Sequence, residues 1–178
     1  MSSEVLKQEK SPEKNELIDD NARKFIVDEL DKRLLDNPGV VSFVLTTDWL
    51  EMSEDSETKL ARKVFGNGGV QTLLIKKVMK NGRRESEKRK ITDEQYMDLV
   101  VGSVLCVQKK RFEFDYTQAG INFLMKYDKF SESDLHVLEV DAHDDEERSM
   151  FDPGAFQDNL VEVTGDLRYY GYRVAEFT

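Results

Sequence analysis

The pattern of polar and apolar positions is most unusual in Arg83–Ile91 (RRESEKRKI). An extended backbone there puts Arg83, Glu85, Glu87 and Arg89 on one side and Arg84, Ser86, Lys88 and Lys90 on the other. Neither side is apolar, whereas a strand over an ordinary core has one hydrophobic face. Three readings fit: an exposed hairpin arm, a helix with ion pairs one turn apart, and a wall between bulk water and a polar interior.

The neighbouring pattern favours a strand. Asn81-Gly82 directly before the stretch is the strongest short hairpin signal in the chain. Upstream, Ala22–Val27, Val40–Leu50, Thr58–Phe65 and Val70–Met79 have strand composition. Asp28–Leu35 is read as a polar helical turn, Asn37-Pro38-Gly39 and Gly66–Gly69 as turns, and Glu51–Glu57 as an acidic loop. Thr92 with Gln95 forms a capping-box pattern, and Tyr96, Leu99 and Val100 share one face of a helix that Gly102 ends. Val104–Tyr116, Ile121–Phe130 and Leu135–Ala142 are three further strands, followed by a short helix over Asp144–Phe151 that Pro153-Gly154 breaks. The remaining tail is aromatic-rich and mixed. About eight antiparallel strands with few, short helices predict a mainly β domain, a barrel or a strongly curved sheet.

Alternation then sorts the charges. Lys59, Ala61 and Lys63 share a face, as do Thr72, Leu74 and Lys76, then Val107, Lys109, Arg111 and Glu113, then Leu135, Val137, Glu139 and Asp141. Turned outward, such faces are the solvated side of a sandwich with cross-strand ion pairs. Turned inward in a barrel, they make a cavity holding both cations and carboxylates, the mixture that a metal-bridged polyphosphate requires. Alternation alone leaves both open.

Composition narrows the partners. The chain has 178 residues, 39% hydrophobic and 35% charged, with a formal net charge of −10. That charge argues against general nucleic-acid binding, although a local basic channel remains compatible with phosphates. One cysteine, Cys106, excludes an intramolecular disulfide and suits a reducing compartment. It is read as a buried structural thiol, and His136 and His143 as structural. No apolar run approaches the ~20 residues of a membrane span, and without a hydrophobic signal core the expected location is cytoplasmic. Residues 1–18 are read as a disordered charged tail before a single domain over 19–178. Trp49 and Phe43 are expected to pack outside the barrel against a helix. Asp128 is expected either to point inward or to cap the turn at Ser131.

Several segments, in order, resemble the CYTH domains, the triphosphate tunnel metalloenzymes. They are Leu135–Asp141 (LHVLEVD), Phe151-Asp152-Pro153 and Val161–Tyr169 (VEVTGDLRY). With them go Lys109-Lys110-Arg111-Phe112, Tyr127-Asp128-Lys129-Phe130, Ile75-Lys76, the acidic strand Arg83-x-Glu85-x-Glu87, and Arg23–Val27. The resemblance spans about Asp20 to Ala175. It implies a closed eight-stranded antiparallel β-barrel whose tunnel takes a triphosphate-containing small molecule with Mg²⁺ or Mn²⁺, and nucleic acid only as a 5′-triphosphate end. Activities in that family include inorganic and thiamine triphosphatase, adenylyl cyclase and RNA triphosphatase.

Carried over residue by residue, the resemblance implies Lys24, Lys59, Lys76, Arg83, Lys109 and Arg111 as phosphate ligands. It implies Glu85, Glu87, Glu139 and Asp141 as metal ligands, with Glu85, Glu87 and Lys24 as catalytic groups. The expectation is a metal-dependent triphosphatase acting on tripolyphosphate or on a nucleoside or thiamine triphosphate. The alternatives are a binding module with weakened chemistry and an adenylyl cyclase. The departures favour weakened chemistry. The family's signature Glu-x-Glu-x-Lys falls on Asp20-Asn21-Ala22-Arg23-Lys24, so Ala22 stands at the second acid. Lys59 and Ala61 stand where two Arg are usual, and Thr47 where a Gln is common.

Overall fold

The computed structural model describes residues 17–19 and 21–176. The expected tail over 1–18 lies outside the described residues apart from Leu17 and Ile18, which belong to a strand.

Ten strands form one sheet: β1 (Leu17–Asp19), β2 (Arg23–Ile26), β3 (Val41–Met52), β4 (Ser56–Phe65), β5 (Val70–Lys80), β6 (Arg83–Lys90), β7 (Leu105–Gln118), β8 (Ile121–Phe130), β9 (His136–Asp141) and β10 (Val161–Glu162). Their order is β1-β6-β5-β4-β3-β7-β8-β9-β2-β10, antiparallel throughout. Only residues 20–22 separate β1 from β2, yet β1 pairs with β6 and β2 with β9. One stretch of chain therefore touches both edges of the β3–β9 sheet. The sheet wraps round on itself, joined at the seam by the backbone and not by a continuous hydrogen-bond ladder. Counting that stretch once gives the predicted eight-stranded barrel, and β10 is an addition outside β2. The acidic loop predicted over Glu51–Glu57 is shorter than expected, since β3 runs to Met52 and β4 starts at Ser56.

Local chemistry sets the joints. Asn81 and Gly82 both have positive φ, 51° and 73°, and close the two-residue turn between β5 and β6. Five short helices flank the wall: α1 (Lys32–Leu35), α2 (Asp93–Val100), α3 (Asp145–Ser149), α4 (Pro153–Phe156) and α5 (Gly171–Glu176). The predicted capping box is present at α2, with Thr92 and Gln95 exchanging side-chain and backbone hydrogen bonds. Among the described residues no helix is long and apolar enough to cross a membrane.

The main apolar core lies outside the barrel. Phe25, Phe123, Met125, Tyr127, Leu138 and Val140 turn outward from β2, β8 and β9 and are sealed by Phe151, with Phe156 of α4 packed against them. A second cluster closes one end of the interior, where Trp49, Val107, Phe130 and Val137 meet Val174 and Ala175 of α5. Trp49 thus packs on a helix, as expected, but from inside the barrel. Phe43 also faces inward, packed with Leu45, Ala61 and Ile75.

An ion relay bridges the seam. Arg83 at the start of β6 binds Asp145 of α3, which also accepts from Arg148, and Arg148 Nε donates to Asp141 Oδ1 of β9 at 3.0 Å. Arg148 is only 4% exposed, so removing it takes from Asp141 its charged partner and cuts the link to Asp145. We expect Arg148→Ala to cost about 2 kcal/mol, read as a lower urea midpoint at unchanged slope. An unchanged midpoint would show that the relay is ornamental.

Candidate functional site

Because side chains alternate, each strand lends one face to the interior. Lys24 enters from β2, Glu57 and Lys59 from β4, Lys77 from β5, and Arg84 and Lys88 from β6. Lys109 and Arg111 follow from β7, Lys126 from β8 and Glu139 from β9. Thr164, Gly165, Tyr170 and Gly171 add to the lining of a cavity of about 320 Å³. Among the described residues eight Lys or Arg and two carboxylates thus face one space in a chain whose net charge is −10. The interior has the opposite sign to the molecule.

Asp128 makes the deepest part of this arrangement tolerable. It is 1% exposed and accepts from Lys109 Nζ at 2.5 Å and from Arg111 Nε and Nη2 at 2.7 Å. Asp128 therefore points inward and does not cap the turn at Ser131. Burial pulls the Lys109 ammonium below its ordinary value, with Asp128 opposing. At Arg111 burial acts the same way, but Asp128 and Glu139 outweigh it and the guanidinium is raised.

The two carboxylates are also engaged. Glu139 lies 3.7 Å from Arg111 Nη2 and 3.9 Å from Lys24 Nζ. Burial would raise its pKa, but Arg111, Lys24 and Lys109 hold it well below the usual carboxylate range. Glu57 receives Lys59 Nζ at 2.7 Å and Trp49 Nε1 at 3.0 Å, with Lys77 Nζ at 3.9 Å. There too burial pushes the pKa up, and Lys59 and Lys77 bring it below normal. At the mouth the Tyr170 ring stacks under Arg84 at 4.3 Å and Lys24 at 5.1 Å. Asn21 Nδ2, buried in the lining, has no hydrogen-bond partner among the described residues.

Of the residues expected to form the site, Lys24, Lys59, Lys109, Arg111 and Glu139 line the tunnel. The others lie elsewhere. Lys76 faces outward, directly opposite Glu87 on β6. Glu85 shares that outer face, with Lys80 Nζ at 2.9 Å. Arg83 and Asp141 belong to the seam relay. One parity accounts for Lys76, Glu85 and Glu87 together. Ile75, Lys77 and Met79 are the inward residues of β5, so their cross-strand partners Lys88, Ser86 and Arg84 face inward on β6. A shift of one residue exchanges the two faces of a strand. The same exchange hid Lys77, Arg84 and Lys88 from the sequence reading. Glu57 was missed because it was assigned to a loop. Lys126 alternates with Asp128, which was the available signal. Cys106, expected to be buried, is exposed.

The expected Mg²⁺ or Mn²⁺ can be tested against the donors present. Among the described residues no group of three or more His, Cys, Asp or Glu is placed to hold a metal ion. The side chain of Ala22 lines the tunnel with no donor. Glu57 is engaged by Lys59 and Lys77 and Glu139 by Arg111 and Lys24, so among the described residues each tunnel carboxylate already serves cations and does not fit an ion held by a carboxylate cluster.

No protein-family model matches the chain, and no curated protein matches it either. Among solved structures it is similar to two crystal structures, one of the inorganic triphosphatase NE1496 and one described as the hypothetical protein NE1496. Each has 20% identity and a TM-score of 0.56, over 90% of this chain and 94% and 97% of those chains respectively. The PH1819 protein from Pyrococcus horikoshii OT3 matches at 15% identity and TM-score 0.49, over 72% of this chain and 81% of that one. At these identities the likeness is one of fold, and this chain has the CYTH-like fold that its sequence pattern resembled.

Two outcomes follow from the buried charges. Asp128→Asn leaves Lys109 and Arg111 uncompensated and is expected to cost about 3–5 kcal/mol, measured by urea unfolding. Unchanged stability would mean that the clamp carries no weight. Glu139 and Glu57 have depressed folded pKa values. Their stabilisation is therefore present above the unfolded value of roughly 4.3 and is lost as pH falls through the folded values. The urea midpoint of Glu139→Gln should accordingly fall less steeply on acidification below about pH 4.3 than that of the unmodified protein.

Proposed function

We propose that this protein binds a triphosphate-containing small molecule inside its barrel, gripping the phosphate oxygens with the tunnel lysines and arginines. The observation that carries this reading is the reversed charge of the interior. Eight cations crowd a cavity of about 320 Å³, and only a polyanion relieves their mutual repulsion while filling so many donors at once. Arg111, its Nε and Nη2 held by Asp128, lies beside Glu139, and Lys24 and Lys126 flank that carboxylate on the neighbouring strands. Lys59 and Lys77 form a second pair around Glu57.

Binding without efficient turnover is the form of this function that the geometry supports best. Hydrolysis of a phosphoanhydride needs a water from which a proton is taken, and a general base works best with a pKa near the working pH. Glu139 is the carboxylate nearest Arg111, but its cationic surroundings make it a weak base. The resemblance to triphosphatases, together with the inorganic triphosphatase among the similar folds, keeps slow hydrolysis as the second reading.

Calorimetry with tripolyphosphate in the presence of a chelator tests the proposal. Binding is expected without divalent metal and is expected to weaken as salt is raised. Lys126→Gln is expected to lose about tenfold in affinity, the worth of a charge-assisted hydrogen bond. Absence of heat and of any thermal shift would overturn the proposal. Phosphate release at a typical enzymatic rate of about 10 s⁻¹ would instead show that the tunnel is a catalytic centre.

A further inference from the structure

The barrel has a second hollow, at the end remote from Trp49. Val41 and Phe43 at the start of β3 line it together with Phe65 of β4 and Leu124 of β8, and it measures about 350 Å³. None of the residues lining it lines the cationic tunnel. The Phe43 and Phe65 rings pack there with centroids 5.2 Å apart. Val41 and Leu124 are 50% and 38% exposed, so apolar surface is open to a ligand at the rim. The volume falls at the lower end of the roughly 300–1,000 Å³ of small-molecule sites.

Three charged side chains share this hollow: Lys63 of β4, and Glu113 and Asp115 of β7. Lys63 Nζ lies over the Phe43 ring, 4.7 Å from its centroid. Among the described residues Lys63 has no hydrogen bond and no ion pair. Burial pulls its ammonium below the ordinary value and Glu113 opposes, while Arg111 and Lys126 add to the depression. Lys63 and Glu113 thus feel each other's charge without meeting. Glu113 has Arg111 Nη1 at 3.9 Å, and Asp115 accepts from Asn122 Nδ2 at 3.3 Å. Both carboxylates keep further acceptor capacity.

An anion alone would answer Lys63 and be repelled by Glu113 and Asp115. A cation alone would answer the acids and be repelled by Lys63. A molecule that carries both charges a few atoms apart answers both, across the gap that separates Lys63 from Glu113. We infer that this hollow is a second binding site, and that its ligand is a small zwitterion with an apolar side group, of the class of aromatic or branched amino acids. The ligand's carboxylate meets Lys63, its ammonium meets Glu113 and Asp115, and its side group lies on Phe43, Phe65, Val41 and Leu124. The inference does not depend on the triphosphate reading.

Calorimetry with L-phenylalanine, hydrocinnamate and phenethylamine isolates the effect, because the three share a ring and differ in their charged ends. L-phenylalanine is expected to bind about tenfold more tightly than either of the others, since each of those lacks one charge-assisted hydrogen bond. Glycine, which has both charges and no side group, should bind about tenfold more weakly than phenylalanine or worse. In Lys63→Gln the advantage over phenethylamine should disappear while that over hydrocinnamate remains, which ties the carboxylate to this residue. Thermal melting confirms that the variant is folded, and the comparison of ligands on the unmodified protein stands even where it is not. Equal affinity for the three aromatic ligands, tighter binding of hydrocinnamate or phenethylamine than of phenylalanine, or an unchanged preference in Lys63→Gln overturns the inference. Absence of binding by all of them overturns it too, and leaves the triphosphate reading untouched.

Discussion

The crowding of like charges inside a closed wall is the constraint on which the rest of this structure depends. Two unit charges 4 Å apart interact by about 4 kcal/mol at the effective dielectric near a protein surface, and this tunnel gathers eight cations. The barrel keeps them in place by spacing carboxylates among them. Asp128 lies between Lys109 and Arg111, Glu139 between Arg111 and Lys24, and Glu57 between Lys59 and Lys77. Among the described residues the acids are fewer than the cations they serve, so a surplus of positive charge remains directed at the cavity.

A polar interior forces the hydrophobic core elsewhere. The β2, β8 and β9 wall carries its apolar residues on the outer face, under Phe151 and α4, while α5 and Trp49 close one end from within. The barrel is therefore stabilised from outside and at its end, and its middle is left to function. The seam is a related consequence. Residues 17–26 divide their pairing between β6 and β9, and the Arg83–Asp145–Arg148–Asp141 relay ties those two edges together with side chains.

The acidic pairs that made metal-assisted hydrolysis attractive are the part of the site that tertiary structure rearranged. Glu85 and Glu87 lie on the outer wall with Lys80 and Lys76, and Asp141 is a structural partner of Arg148. What remains inside is a chamber with cations on most of its circumference and an apolar strip on β3, β4 and β5.

By itself the sequence determined the strands β2–β9, the Asn81-Gly82 turn, the capped helix at Thr92 and the shared faces of Lys59-x-Ala61 and Lys109-x-Arg111. Each of these is a local matter of turn conformation, capping or period-two alternation. It also admitted a tunnel, because Arg83–Ile91 has no apolar face and a wall was one of the three readings that fit it. It did not determine which face of that wall looks inward. Both faces are charged, so hydrophobic patterning, the usual arbiter of parity, is silent there. The answer came from pairing: β5 turns Lys77 and Met79 inward, and the two-residue hairpin then obliges Ser86 and Arg84 to follow. Only the closed tertiary structure, which sets every strand's parity against its neighbour's, turned Arg84 and Lys88 to the tunnel and Glu85 and Glu87 to the outer face.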